Sequence, residues 1–157
     1  LRHILDSAQI VDYIKFNDDE SLADLGSGAG FPGLVLAIYN KNKRFHVKLY
    51  EKSSVKCKFL NNIVKILHLN VHIYSDSFTK HKIDANYITV RAFKKLDEVM
   101  RISREIINKS HRLIVLKGEN AQSEINNLSH RIQGEYKLVK SLTNEKSKIL
   151  IADIKKK

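Results

Sequence analysis

The chain of 157 residues has little of what organises small secreted proteins and metal modules. It contains one cysteine, Cys57, and no tryptophan. A single thiol cannot form an internal disulfide, and the seven histidines are scattered without the spacing of metal ligands. These absences exclude a disulfide framework and a zinc module, and they predict that no metal is bound. A reducing cytoplasm is the simplest compartment for such a chain.

Long apolar runs and linker residues are also scarce. The longest apolar run, from Leu34 to Tyr39, is far shorter than the ~20 residues that a membrane helix needs. No apolar stretch follows a basic start as in a signal peptide, so we expect a soluble protein. With six glycines and one proline, residues 1–157 are expected to form a single domain around one core, as a monomer. Leu1 is too large to follow a removed initiator methionine, so we expect the natural chain to begin earlier.

Acidic residues are few relative to basic ones. There are 17 Asp and Glu against 28 Lys and Arg, which gives a formal net charge of +11. Such an excess favours a polyanionic partner such as nucleic acid. However, 21 of the basic residues are lysines, and the chain is also rich in asparagine and isoleucine, a bias that AT-rich coding produces by itself. Charge alone therefore leaves the question of nucleic-acid binding evenly balanced.

Apolar periodicity predicts strands and helices that alternate along the first two thirds of the chain. Predicted helices span residues 2–16, 32–40, 53–69, 97–108 and 123–132. Predicted strands span residues 21–25, 45–50, 71–74, 87–90, 112–116, 136–142 and 149–154, the last two joined by a polar turn. This order predicts an α/β fold with a mostly parallel sheet covered on both faces. A closing antiparallel hairpin is typical of S-adenosylmethionine-dependent methyltransferases, whereas plain dinucleotide-binding folds usually lack it.

The most informative segment runs from Asp24 to Gly33, with the sequence DLGSGAGFPG. Its glycines at 26, 28 and 30 suit a tight strand-to-helix turn that a ligand approaches closely. The segment also matches the dinucleotide fingerprint. A carboxylate at Asp24 suits the ammonium group of S-adenosylmethionine but would repel a pyrophosphate, and it therefore favours the methyltransferase interpretation. A glycine-rich turn without a ligand is the structural alternative.

Polar groups follow the other predicted strands, and the carboxyl ends of these strands should meet at one edge of the sheet. Glu51 ends the second strand, where it can bind a ribose diol or simply pair with a neighbouring lysine. Asp76 and Phe78 follow the third strand, where they can meet adenine or lie in a solvated loop. Arg91 ends the fourth strand, where its guanidinium can hold a carboxylate or a phosphate. Lys117 ends the fifth strand at the same rim.

Five segments together resemble the ribosomal RNA small subunit methyltransferase G family, also known as glucose-inhibited division protein B. They are RHILDS at residues 2–7, DLGSGAGFPG at 24–33, EKS at 51–53, VRAF at 90–93 and LKG at 116–118. The matches run in order over essentially the whole chain. The resemblance implies a Rossmann-like S-adenosylmethionine-dependent methyltransferase that methylates N7 of a guanine in 16S ribosomal RNA, alone or in the small subunit. It also implies a helical segment before Arg2.

The resemblance further implies which residues contact the cofactor. The family's positions fall on Gly26 and Phe31 in the glycine-rich loop, on Ser77 and Phe78 after the third strand, and on Arg91. With the residues argued above, the predicted S-adenosyl-L-methionine site comprises Asp24, Gly26, Gly28, Gly30, Phe31, Glu51, Asp76, Ser77, Phe78 and Arg91. The family usually has a small residue and Glu in place of Ser77-Phe78, which shifts the expected adenine contact to the backbone or Asp76. Asn86 replaces an Asp that is common in the family.

Guanine N7 has a lone pair and no proton, so methylation at this atom needs orientation rather than a general base. We therefore assign no catalytic base and expect Lys94, Lys95 and Lys117 to contact RNA phosphates. Two alternatives stay open: a small-molecule methyltransferase, and an RNA-binding module whose cofactor pocket has decayed. The absence of tryptophan and the basic rim disfavour the first. Intact Asp24, the glycines and Glu51 disfavour the second.

Overall fold

A computed structural model describes residues 1–91, 94–128 and 135–156. Within these ranges the α-helices are α1 (Arg2–Ala8), α2 (Gly33–Tyr39), α3 (Ser54–Ile66), α4 (Leu96–Ile106) and α5 (Ala121–Leu128). The strands are β1 (Ser21–Leu25), β2 (His46–Tyr50), β3 (Val71–Tyr74), β4 (Tyr87–Arg91), β5 (His111–Lys117), β6 (Tyr136–Lys140) and β7 (Lys148–Ile154). Short 3-10 turns occupy Val11–Tyr13 and Phe78–Lys80.

The strands form one sheet of seven in the order β3-β2-β1-β4-β5-β7-β6. Pairing is parallel from β3 through β5, and β7 pairs antiparallel with both β5 and β6. The predicted α/β class with a closing antiparallel hairpin is therefore confirmed. The chain leaves β1 toward β2 on one side and returns to β4 on the other, so the strand order reverses between β1 and β4. A ligand is expected beyond the carboxyl ends of the strands at this reversal.

Both faces of the sheet are buried, and successive strand residues enter opposite cores. In β5, Leu113 and Val115 pack with α4 and α5, whereas Ile114 and Leu116 pack on the face covered by α2 and α3. All five residues of β1 are buried. This explains why the central strands are nearly continuous apolar runs in the sequence.

The prediction of one helix over residues 2–16 is wrong. Helix α1 ends at Ala8, a 3-10 turn follows, and the backbone is extended at Ile14. Ile10 and Ile14 are buried in the core, whereas Ile4 and Leu5 are about half exposed. The apolar spacing that suggested a single helical face therefore serves two different segments, because the chain must turn after Ala8 to place Ile10 against the sheet.

The other elements begin and end within three residues of their predicted bounds wherever the structure describes them. The predicted end of the last helix, at Ile132, lies outside the described residues, as do Ala92 and Phe93 of the VRAF segment. No helix in the described part of the chain is long and apolar enough to cross a membrane.

Close packing of α2 on the sheet requires glycine at position 33. A Cβ atom built there would lie 2.4 Å from Leu49 Cδ2 and 2.7 Å from Asp24 Oδ2. We expect Gly33→Ala to lower the free energy of unfolding by about 2 kcal/mol, because such overpacking forces the helix or the strand to shift. Urea denaturation measures the change. Gly118→Ala is the matched control, since its Cβ would have no neighbour within 4 Å. Equal stability losses in the two variants would contradict this explanation.

Candidate active site

The glycine-rich turn after β1 presents its backbone at the carboxyl edge of the sheet. Gly26, Gly28 and Gly30 have φ values of 76°, 60° and 94°, a region that residues with a Cβ rarely adopt. The amides of Gly26 and Ser27 donate to the carbonyl of Tyr50 at 2.9 and 3.0 Å, which ties the turn to the end of β2. A Cβ atom added at Gly28 would have one neighbour within 4 Å, the carbonyl oxygen of Gly26 at 4.0 Å, so the space in front of the turn is open.

Asp24 lies beneath this turn and holds it to two other elements. Its Oδ2 accepts the amide of Gly33 at 3.1 Å, and its Oδ1 accepts the Thr89 hydroxyl at 2.9 Å. Only 1% of the residue is exposed. Burial raises the pKa of the carboxyl to about 6, although the bonds from Thr89 and Gly33 and the charge of Arg91 oppose the shift. Asp24 therefore links β1, α2 and β4, and each of its two oxygens already has a partner.

Glu51 stands directly after β2 and supports the turn from the other side. Its Oε2 accepts the amide of Gly28 at 2.8 Å, and its Oε1 accepts the amide of Ser53 at 2.8 Å. Each carboxylate oxygen can accept two hydrogen bonds, so Glu51 retains acceptor capacity for a ligand. The structure thus places Glu51 at the glycine-rich turn, and the ribose contact predicted for it from the sequence stays a prediction.

The loop after β3 adds polar and aromatic groups at the same edge. Asp76 Oδ1 lies 2.6 Å from His81 Nε2, and Ser77 Oγ lies 2.8 Å from Thr79 Oγ1. Phe78 is partly buried and packs against the core. Beside them the rings of Tyr50 and Tyr74 stack with centroids 4.5 Å apart, a contact between β2 and β3 that the sequence did not suggest.

Arg91, at the end of β4, lies over the glycine-rich turn. Its guanidinium carbon is 5.5 Å from the centre of the Phe31 ring, within the range of a cation–π contact. Its Nη1 is 2.9 Å from Nδ1 of His3, whose ring also lies beside Phe31. The structure thus brings Arg91 and Phe31 together, as predicted from their positions, and adds His3 from α1.

The three lysines predicted to contact RNA differ in their surroundings. Lys95 is exposed immediately before α4, and Lys94 forms an ion pair with Glu98. Lys117 pairs with Glu124 at 2.9 Å, donates to the carbonyl of Lys94 at 2.9 Å, and has a side chain only 10% exposed. Lys117 therefore already joins β5 to α5, and its charge is less available at the surface than that of Lys95.

Two residues of the site were missed from the sequence. Thr89, which fixes Asp24, could have been found from its position between Ile88 and Val90 in the predicted strand 87–90, because a buried hydroxyl needs a partner. His3 stands in the RHILDS segment that carries the family resemblance, but only the fold brings it to Arg91.

In the described ranges, no three or more His, Cys, Asp or Glu residues are grouped to hold a metal ion.

The site thus consists of a backbone cradle, two buried carboxylates beneath and beside it, and an arginine at its mouth. A sequence model described as rRNA small subunit methyltransferase G, or GidB, matches residues 1–151. The chain belongs to this family. The resemblance that the sequence motifs indicated is therefore confirmed.

Curated relatives are similar in sequence to this chain over nearly its whole length. The chain is 36% identical to "Ribosomal RNA small subunit methyltransferase G" of Pelagibacter ubique (strain HTCC1062), over 99% of the chain and 75% of the relative. It is 39% identical to the protein of that name from Rickettsia felis (strain ATCC VR-1525 / URRWXCal2), over 95% of the chain and 75% of the relative.

Solved structures confirm the methyltransferase fold of this GidB-family chain. An RNA methyltransferase from Salinibacter ruber in complex with S-adenosyl-L-homocysteine superposes with a TM-score of 0.73 at 14% identity, covering 96% of this chain and 91% of that one. M. jannaschii TYW2 in complex with AdoMet gives 0.71 at 16% identity, covering 99% and 77%. At these identities the likeness shows the fold alone.

The raised pKa of Asp24 should make stability depend on pH. Between about pH 4 and pH 6 the folded state keeps a proton that the unfolded state has released, so the free energy of unfolding should fall as pH rises. From the shift of the pKa from 3.8 to about 6, the fall amounts to about 3 kcal/mol over the whole titration and to about 2 kcal/mol between pH 4 and pH 6. Asp24→Asn removes this titration while leaving groups that can bond Gly33 and Thr89. Urea denaturation of both proteins across this range tests the effect, and parallel curves would contradict it.

Proposed function

We propose that this chain transfers a methyl group from S-adenosyl-L-methionine to N7 of a guanine in 16S ribosomal RNA. Membership of the GidB family makes it an S-adenosylmethionine-dependent rRNA methyltransferase. The guanine-N7 target is the activity of that family, and the observation that supports an active enzyme is the intact cradle: the turn of Gly26, Gly28 and Gly30 is held open between Asp24 and Glu51, with Arg91 above it. A decayed cofactor pocket would have no need to keep three glycines at positive φ in front of open space.

The residues present fit S-adenosylmethionine. Open space in front of Gly28 lets a ligand approach the backbone, and the remaining acceptor positions of Glu51 suit the two hydroxyls of a ribose. Asp76, Ser77 and Phe78 are proposed to meet the adenine. The negative charge of Asp24 beneath the turn favours the cationic end of the ligand, although both of its oxygens already accept hydrogen bonds from the chain.

The proposed reaction requires the chain to orient the two reactants and does not require it to transfer a proton. S-adenosylmethionine, when bound, supplies an electrophilic methyl group on a sulfonium. Guanine N7 has a lone pair and no proton to lose, so no side chain needs to act as a base. The methylated base gains positive charge, which disfavours a cation beside it. We therefore assign Arg91 to a carboxylate of the cofactor or to a phosphate rather than to the reacting base.

The RNA substrate and cellular location follow from the same proposal. Lys95 and the other cations near the mouth would neutralise phosphates without reading sequence. The substrate is proposed to be 16S ribosomal RNA, alone or in the small subunit, in the cytoplasm where ribosomes assemble. A monomeric enzyme stays a prediction.

The activity is tested by incubating the protein and S-adenosylmethionine with small subunits or naked 16S rRNA that lack the modification. We expect 7-methylguanosine in digests analysed by mass spectrometry. Gly28→Asn should lower cofactor affinity, measured by calorimetry, by roughly 30-fold or more, because its side chain fills the open space while asparagine tolerates a positive φ.

Gly28→Ala separates the effect of space from that of strain. Alanine is smaller but tolerates positive φ less well, so it should cost more stability and less affinity than asparagine. Wild-type protein that binds NADH rather than S-adenosylmethionine, or that transfers no methyl group to either RNA, would overturn the proposed function.

Lys95 and Lys117 should behave differently on substitution because their environments differ. Lys95→Ala should weaken RNA binding about threefold and reduce the slope of log K against log salt by about one phosphate contact. Lys117→Ala should mainly lower stability, because it leaves Glu124 without its ion pair. Filter binding at several salt concentrations and thermal unfolding measure the two effects. The reverse pattern would show that Lys117, rather than Lys95, meets the RNA.

A further inference from the structure

A second concave surface lies next to the cofactor cradle and is not part of it. Helix α1 forms one wall, and the turn between β6 and β7 forms the other. The volume is about 420 Å³, within the range of small-ligand sites. We call this surface the α1–hairpin cleft, and its lining residues are Arg2, His3, Asp6, Gln9, Arg91, Leu116, Lys117, Gly118, Ser141, Ser147, Lys148 and Ile149.

The α1–hairpin cleft meets the cofactor cradle at Arg91. The cradle is built from residues after β1, β2 and β3, whereas the cleft lies at the carboxyl ends of β4 and β5 and beside the hairpin. Arg91 lines the cleft and also covers Phe31 of the glycine-rich turn. The two surfaces therefore lie on opposite sides of the reversal in strand order, and they meet at Arg91 and His3, both of which lie beside Phe31.

Hydrogen bonds between residues more than 130 positions apart hold the two walls of the cleft together. Asp6 Oδ1 accepts the Thr143 hydroxyl, and Gln9 Oε1 accepts the amide of Leu142 at 2.8 Å. Gln9 Nε2 also donates to Ser141 Oγ at 3.2 Å. We call these bonds of Asp6 and Gln9 to residues 141–143 the latch. No latch bond involves the glycine-rich turn, Asp24 or Glu51.

The lining of the cleft suits a nucleotide. Arg2 and Lys148 provide positive charge for a phosphate, and Leu116 and Ile149, which are 7% and 2% exposed, close the floor of the cleft between them. Arg2 is exposed, with its Nε 3.9 Å from the Asp6 carboxylate. Gln9 Nε2 and Ser141 Oγ are engaged in the latch, whereas the Ser147 hydroxyl and the second acceptor position of Gln9 Oε1 can meet a base edge. A purely apolar small-molecule substrate would leave these groups and charges unmatched.

We propose that the α1–hairpin cleft receives the target nucleotide of the RNA, and that the latch keeps its walls at the spacing that a nucleotide needs. Asp6, Gln9 and Thr143 are thus positioning residues for the RNA substrate and not for the cofactor. The proposal rests on the proposed rRNA methyltransferase activity. It also gives a reason for the early end of α1, since Gln9 follows the helix directly and reaches the hairpin.

The test compares latch variants in the full chain by steady-state methyl transfer to small subunits or 16S rRNA. The variants are Gln9→Leu, Asp6→Asn, Thr143→Val and the double variant Asp6→Asn with Thr143→Val. We expect KM for RNA to rise roughly three- to tenfold in each single variant, because net hydrogen-bond contributions are of that size. The dissociation constant of S-adenosylmethionine, measured by calorimetry, should stay within about twofold.

Non-additivity gives a second, independent readout. Because Asp6 and Thr143 bond each other, the double variant should raise KM little more than either Asp6→Asn or Thr143→Val alone. Hydrogen exchange at the amide of Leu142 should quicken in Gln9→Leu, which shows that the latch has opened. Gln122→Leu is the matched control: it makes the same chemical change at an exposed glutamine that bonds Asn126 within its own helix.

The outcomes separate this proposal from the proposed function. If wild-type protein methylates no RNA, the proposed function fails first. If wild type is active and the latch variants keep its KM for RNA, the latch proposal is overturned. Equal loss of cofactor and RNA affinity, or unfolding of all latch variants while Gln122→Leu stays folded, would also overturn it, because the latch would then support the whole fold.

Discussion

The structure of the site depends on one buried carboxylate. Asp24 receives the amide of Gly33 and the hydroxyl of Thr89 in a region with 1% exposure, so it ties the first strand, the helix after the glycine-rich turn and the fourth strand together. Desolvation opposes its ionisation, and hydrogen bonds only partly offset that cost. The buried carboxylate fixes the first residue of α2, Gly33, to β1 and β4, while the Tyr50 carbonyl and Glu51 hold the turn itself.

The cradle and the α1–hairpin cleft lie on different sides of the point where the strand order reverses. Residues after β1, β2 and β3 build the cradle proposed for the cofactor, and residues after β4, β5 and the hairpin build the cleft proposed for the target nucleotide. Arg91 belongs to both, since it contacts Phe31 and lines the cleft. A permanent cation at this junction can hold an anionic group of either ligand, yet it has no reason to contact a base that gains positive charge.

The net positive charge of the chain says less about its function than the positions of the individual cations do. The net charge of +11 is spread over the chain, and several of its cations are engaged within the protein: Lys117 with Glu124, Lys94 with Glu98 and Arg112 with Asp153. Such pairs fix elements to one another and contribute little field at the mouth of the site. Exposed cations such as Arg2 and Lys95 are the ones suited to an RNA backbone.

The sequence by itself determined the order of elements, the closing hairpin and the membership of the family, because apolar period and the spacing of the glycines are local properties. It also placed Glu51, Phe31 and Arg91 at one edge, since parallel strands end together. It did not reveal that Ile10 leaves the helical pattern, that Thr89 holds Asp24, or that Asp6 and Gln9 reach residues 141–143. Only the tertiary structure decided these points, because each depends on contacts between residues distant in the chain, or on which of two buried surfaces an apolar side chain enters.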